Sequence, residues 1–229
     1  MDEGADGRRV YSSAHYSFSV IPGSAAERDI DSIMGIQEDA RRNIIQTFGL
    51  KSDLMIEYTF FRDAFGCAEQ YRSMNPGAFP GGALYPVNAF AWFPSSVYAT
   101  YSDEVKAIGH HEDAHLFLFE HFADVSSRFI TEGAAVAMDG YWRGTELHAA
   151  ARALFERGAV SEIGDLFVDA AFDGLDSNVT YPLAGSFCKW LMQTRGVEAL
   201  KDLYVRCRNG DFAKLKAFGA EYGSFMAGT

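Results

Sequence analysis

Two histidines and a glutamate carry the first chemical signal of this chain. The run His111-Glu112-Asp113-Ala114-His115 reads H-E-x-x-H. Positions four apart on an α-helix lie on one face, so both imidazoles can ligate one metal ion without distorting the backbone. Glu112 stands one step round from His111 and can reach a water on that ion without ligating it. Two neutral nitrogen ligands, a carboxylate base and an activated water are what a zinc hydrolase requires. The competing reading is a pair of ordinary polar residues on an amphipathic helix.

A third ligand comes from the next helical pattern, residues 127–139, where Glu132 lies near the start among small apolar residues. A carboxylate one helix beyond the histidines completes a His₂Glu set and leaves the fourth position open for water. Taken alone, Glu132 reads equally well as a carboxylate favoured by a helix N-terminus. A structural zinc site would close the fourth position with a protein group, and His110, Asp113 and His121 are the neighbours able to do so. His110 points about 100° away from His111 round the helix, which makes it a hydrogen-bonding neighbour and not a ligand.

The surrounding pattern must place these groups. Ser102 reads as the N-cap of the histidine helix, with Asp103 and Glu104 in its first turn complementing the dipole. Val105, Ile108, Leu116 and Phe119 give that helix apolar faces, so it should be buried, and its polar groups then need a metal or hydrogen bonds. Upstream, 10–21 alternates polar and apolar and predicts a strand containing His15, read as structural. Pro22-Gly23-Ser24 predicts a turn with Ser24 as N-cap, then a helix over 25–48 ended by Gly49. Residues 54–61 predict a second strand and 63–71 a short helix. A Pro/Gly loop over 73–82 leads to a third strand over 83–93, with Pro86 suiting a sheet edge. Such an edge can accept an extended peptide.

Downstream the pattern is helical. It predicts helices over 145–157, in part of 161–174, from Tyr181 with Pro182 at its first position, over 197–207 and over 211–218. The segment 176–180 reads as a loop. Strands first and helices after argue an α+β fold. The expected organisation is a loose tail over 1–9 and one domain over 10–229, divided into a sheet-containing lobe (10–123) and a helical lobe (124–229).

Composition sets the outer bounds. With 229 residues, 48% of them hydrophobic, the chain can build a sizeable core. A net charge of −11 argues against nucleic acid or anionic membrane as partners. No apolar run reaches the length of a membrane span. No signal peptide is visible at the start, so localisation is open: cytoplasmic by default, exported if a signal has been removed. Cys67, Cys188 and Cys207 read as core thiols.

Taken together, the motifs resemble the gluzincin zinc metallopeptidases, in particular the peptidase MA-like families. The resemblance rests on His111-Glu112-Asp113-Ala114-His115, then Thr131-Glu132-Gly133-Ala134-Ala135, then Tyr181-Pro182-Leu183-Ala184-Gly185-Ser186-Phe187, in that order. The interval from His115 to Glu132 is similar to that of the family. Asn88-Ala89-Phe90-Ala91-Trp92 looks like the substrate-holding edge strand of thermolysin-type enzymes, with one residue inserted. Two positions depart from the pattern. Asp113 stands where relatives often carry an aliphatic residue. Val136 stands where thermolysin-type enzymes place an acidic partner for a ligand histidine, with Asp139 the nearest substitute.

The resemblance implies a zincin-like α+β fold and one Zn²⁺ held by His111, His115 and Glu132. It implies Glu112 as general base, Tyr181 as donor to the oxyanion, and Asn88 and Ala89 as backbone contacts to a peptide or protein substrate. For Tyr181 the bland alternative is packing at the start of a helix. Two further functions stay open: a zinc hydrolase of small amides, and a zinc-containing structural or interaction module without turnover.

Overall fold

The computed structural model describes residues 2–3, 7–79, 81–160 and 162–228. Helices and a small mixed sheet make up the fold. The chain divides into two compact units, residues 1–117 and 118–229. The boundary falls inside the histidine helix, some way before the expected division at 123/124.

The first unit is built on a sheet of β1 (Asp2–Glu3), β2 (Arg9–Ser12), β3 (Tyr16–Val20), β4 (Ile56–Phe61), β5 (Ala89–Trp92) and β6 (Ser96–Thr100), in the order β1-β2-β3-β4-β6-β5. Strands β3, β4 and β6 run parallel, and the others pair antiparallel. A parallel pair needs a long crossover. Helices α1 (Ala25–Arg28) and α2 (Ile30–Phe48) supply it between β3 and β4, and α3 (Ala64–Met74) lies on the next connection.

Alternation puts Tyr16, Phe18 and Val20 of β3 and Ile56, Tyr58 and Phe60 of β4 into the core, each at most 1% exposed. Register pairs Phe18 with Tyr58 and Tyr58 with Val97. The rings pack into one cluster: Phe18–Tyr58 centroids lie 5.7 Å apart and Tyr58–Phe60 5.5 Å. Burying each such ring contributes on the order of 1.5–3 kcal/mol.

Several expectations change here. The strand expected over 10–21 is a hairpin, β2 and β3, because Ser13 N–H donates to the Tyr16 carbonyl at 2.9 Å and turns the chain. His15 lies in that turn, bonded to Glu38 at 2.8 Å. The helix expected over 25–48 breaks at Asp29, which caps α1 and starts α2, and Gly49 ends α2 in the left-handed region at φ 59°. Ser24 caps α1, its side chain accepting from Glu27 N–H. Strand β5 is shorter than expected and lies at the sheet edge, with Pro86 outside it. Strand β6 had no counterpart among the expected strands; a turn over 93–95 joins it to β5. In the tail expected over 1–9, Asp2–Glu3 pair with Arg9–Val10, while residues 1 and 4–6, and likewise Pro80 and Ser161 in the expected segments 73–82 and 161–174, lie outside the described residues.

Helix α4 (His110–Phe122) begins in the first unit and ends in the second. The second unit continues with α5 (Arg128–Asp139), the hairpin β7 (Tyr141–Trp142) and β8 (Thr145–Glu146), α6 (Leu147–Glu156), a 3₁₀ turn (Ile163–Phe167), α7 (Asp169–Asp173), α8 (Ser177–Arg195), α9 (Val197–Arg208) and α10 (Ala213–Ala227). The expected loop at 176–180 is the first turn of α8, capped by Asp176, whose side chain accepts from Asn178 N–H. Pro182 therefore lies inside the helix, not at its first position.

Helices α5 and α8 pack closely because of two glycines. A Cβ at Gly133 would meet the Ala184 carbonyl oxygen at 2.7 Å, and one at Gly185 would run into Val136 Cγ1. Val136 is thus packing against α8 at the position where an acidic partner for a histidine was sought. All three cysteines are free and buried.

Candidate metal centre

Helix α4 does not start where the sequence suggested. Ser102 caps a tight turn instead, its Oγ accepting from Glu104 and Val105 N–H at 3.3 and 3.0 Å. Tyr101 bridges to Lys106 across it. Asp103 accepts from Arg28 at 2.7 Å. The polar trio Ser102-Asp103-Glu104 resembles a helix start, but its groups serve this turn. Val105 and Ile108 accordingly lie before the helix. The backbone enters α4 through Gly109 at φ 116°, a conformation that side-chain-bearing residues rarely adopt.

On α4, His111 and His115 stand one turn apart, their Nε2 atoms 3.3 Å from each other and their ring centroids 4.9 Å. His115 is buried; His111 and Glu112 are half-buried. The ligand atoms of His111, His115 and Glu132 all lie within 4.8 Å of one another, the one group of this kind among the described residues. Two imidazoles and one carboxylate are a donor set that suits zinc or another divalent ion. The three groups fit such an ion by chemistry and by spacing.

Glu132 is only 5% exposed, and Arg128 one turn earlier on α5 donates to its Oε1 at 2.8 Å. Arg128 also donates to Asp173 at 3.1 Å. Burial opposes the charge of Arg128, but Glu132, Tyr181 and Asp173 more than offset this and hold its pKa above the ordinary value. Tyr181 lies within reach of that guanidinium's field. It is half-buried in the second turn of α8, its ring 5.4 Å from Trp142 and 5.8 Å from Phe172. Arg128 escaped the sequence reading; the signal present was its i, i+4 spacing to Glu132.

None of the three neighbours considered for a fourth ligand belongs to that group. His110 Nε2 lies 3.3 Å from Asn43 Nδ2. His121 packs edge-on against Phe122 at 4.7 Å. Asp113 is fully buried and takes hydrogen bonds from Tyr16 Oη at 2.6 Å, Tyr58 Oη at 2.7 Å and Gln37 Nε2 at 3.1 Å. Burial pushes the Asp113 carboxyl up to about 7, against the two tyrosine hydroxyls that favour its charged form and with the nearby Glu112 charge adding to the rise. Both phenols are held well above their ordinary range, by burial first and by Asp113 second.

Gln37 also brackets the start of α4. Its Oε1 accepts from Gly109 N–H at 2.6 Å and its Nε2 donates to the Gly109 carbonyl at 3.2 Å. The sequence held a signal for Gln37, a polar residue one turn beyond Ile33 on the buried stripe of α2.

Asn88 and Ala89 are placed by the sheet edge. The Asn88 carbonyl accepts from Thr100 N–H at 2.7 Å, and Ala89 pairs with Ala99. No family model and no curated protein sequence matches this chain.

Proposed function

We propose that this protein is a zinc-dependent metallopeptidase of gluzincin type with a zincin-like fold. The observation that carries the reading is the convergence of His111, His115 and Glu132 within 4.8 Å, with Glu112 next to the first ligand on the same helix. Zinc supplies Lewis acidity there, acidifying water and polarising a carbonyl. His111 and His115 each offer a ring nitrogen, and Glu132 offers a carboxylate oxygen while Arg128 engages its Oε1. Glu112 takes the proton from the attacking water and delivers it to the leaving amine. Tyr181 donates its phenol O–H to the oxygen that gains negative charge at the scissile carbonyl.

Strand β5 favours a peptide over a small amide. It is an edge strand beginning at Ala89, directly after Asn88, and its outer backbone groups offer an extended chain a ladder to join. A structural zinc site is disfavoured because, among the described residues, the group holds His111, His115 and Glu132 and none of His110, Asp113 and His121. The test is cleavage of a peptide library by zinc-loaded protein, wild type beside Glu112→Gln. Cleavage by the wild type, and a zinc-retaining variant without it, supports the assignment. A wild type that holds zinc and cleaves nothing points to the structural module.

A further inference from the structure

Asp113 lies two positions from each histidine of the motif, roughly 200° round the helix from His111. Its carboxylate therefore faces the sheet while the imidazoles face the other way. The partners of that carboxylate come from three elements: Tyr16 on β3, Tyr58 on β4 and Gln37 on α2. Gln37 ties the set together, donating to Tyr58 Oη at 2.7 Å as well as to Asp113, and bracketing both backbone groups of Gly109. Asp113 and Gln37 are fully buried, and Tyr16 and Tyr58 at most 1% exposed.

A buried carboxylate is a poor choice for stability alone, because an apolar residue of similar size fills such a site at no desolvation cost. What the carboxylate adds is direction. Apolar contacts tolerate a helix turning about its axis, whereas hydrogen bonds at 2.6–2.7 Å do not. An imidazole nitrogen stands about 6 Å from the helix axis, so a turn of only 10° moves it by about 1 Å. Metal–ligand distances tolerate about 0.2 Å.

We infer that Asp113, Tyr16, Tyr58 and Gln37 form a positioning device that fixes the rotation of α4, and with it the aim of His111 and His115 at the metal. The inference rests on the metal-site reading above. None of the four residues touches substrate; they act through the helix.

The test separates positioning from packing. In the triple variant Asp113→Leu, Tyr16→Phe, Tyr58→Phe, the network becomes apolar and Gln37 keeps both bonds to Gly109. Thermal unfolding in excess EDTA reads stability without the contribution of bound zinc, and zinc competition against a chelating dye reads affinity. The expected result is a midpoint equal to or above that of the wild type, with zinc affinity lowered about tenfold or more, as for other residues that orient metal ligands. An unchanged midpoint with zinc affinity within twofold of wild type overturns the inference. If the triple variant does not fold, Tyr16→Phe and Tyr58→Phe decide singly. A graded loss of zinc affinity supports the device, and full affinity in both overturns it. A wild type that takes up no zinc overturns the metal-site reading itself, and this inference with it.

Discussion

Glu112 and Glu132 are both carboxylates, and the proposed mechanism gives them different work. Glu132 is buried and engaged by Arg128, which suits a fixed ligand. Glu112 is half-buried and next to His111, a proposed ligand, which suits a base that exchanges protons with water. Glu112→Gln keeps the shape and removes the basicity. We expect it to retain about one zinc per chain and to lose activity by at least the 10²–10⁴-fold that general-base catalysis contributes. Metal analysis beside a peptide cleavage assay checks this; retained activity would remove Glu112 from the mechanism. At this scale the sequence was most legible, because H-E-x-x-H encodes its geometry in its spacing. Asp113 was visible as a departure from the family pattern but not as a buried acceptor, since its partners Tyr16, Tyr58 and Gln37 are distant in sequence and read as ordinary strand and helix residues.

The elements show where local signals misled. Ser102, Asp103 and Glu104 have the composition of a helix start, yet they form a turn held by the Tyr101–Lys106 bridge, and Gly109 opens the helix instead. Asp29 fastens that turn to α1. The Arg28 guanidinium, then Tyr101 and Lys106, hold its carboxyl down to about 2. A depressed carboxyl contributes stability that is full above the ordinary pKa near 3.8 and is lost as pH falls through about 2. Asp29→Asn should therefore unfold at a lower temperature than wild type at pH 6, and the gap should close as the pH approaches 2. A gap that does not change with pH would contradict this.

Between α5 and α8, Gly133→Ala gains roughly 0.8–1 kcal/mol of helix propensity but drives a Cβ against the Ala184 carbonyl at 2.7 Å. Overpacking of this kind costs about 1–3 kcal/mol, and backbone cannot rotate away, so the clash wins. A lower urea midpoint is expected, together with weaker zinc binding because Glu132 is the adjacent residue. The small-residue run announced close packing in the sequence; only the structure shows which helix it meets. The start of α8 was misread because Asp176-Ser177-Asn178 has a turn-like composition that tertiary packing overrides.

At the scale of the molecule, the mixture of sheet and helices follows from strand-like stretches alternating with helical spacing up to residue 100 and mostly helical spacing after it, much of which the sequence displayed. Among the described residues, no helix is long and apolar enough to cross a membrane. If the three ligands hold zinc only when folded, binding must stabilise the fold: at a free concentration a hundred times Kd the gain is about 2.7 kcal/mol. For a chain of this size that corresponds to roughly 5–10 °C in Tm. Chelation by EDTA should lower Tm by that amount in wild type and in Glu112→Gln, and leave Glu132→Ala nearly unmoved.

The most direct measurement is the zinc content of purified wild-type protein and of Glu132→Ala by mass spectrometry. About one zinc per chain in the wild type and a clear loss in the variant is the expected result. Zinc retained in full by Glu132→Ala would contradict the His₂Glu site and move the third ligand elsewhere. No zinc in either protein, even after zinc is supplied, would contradict the metallopeptidase account as a whole.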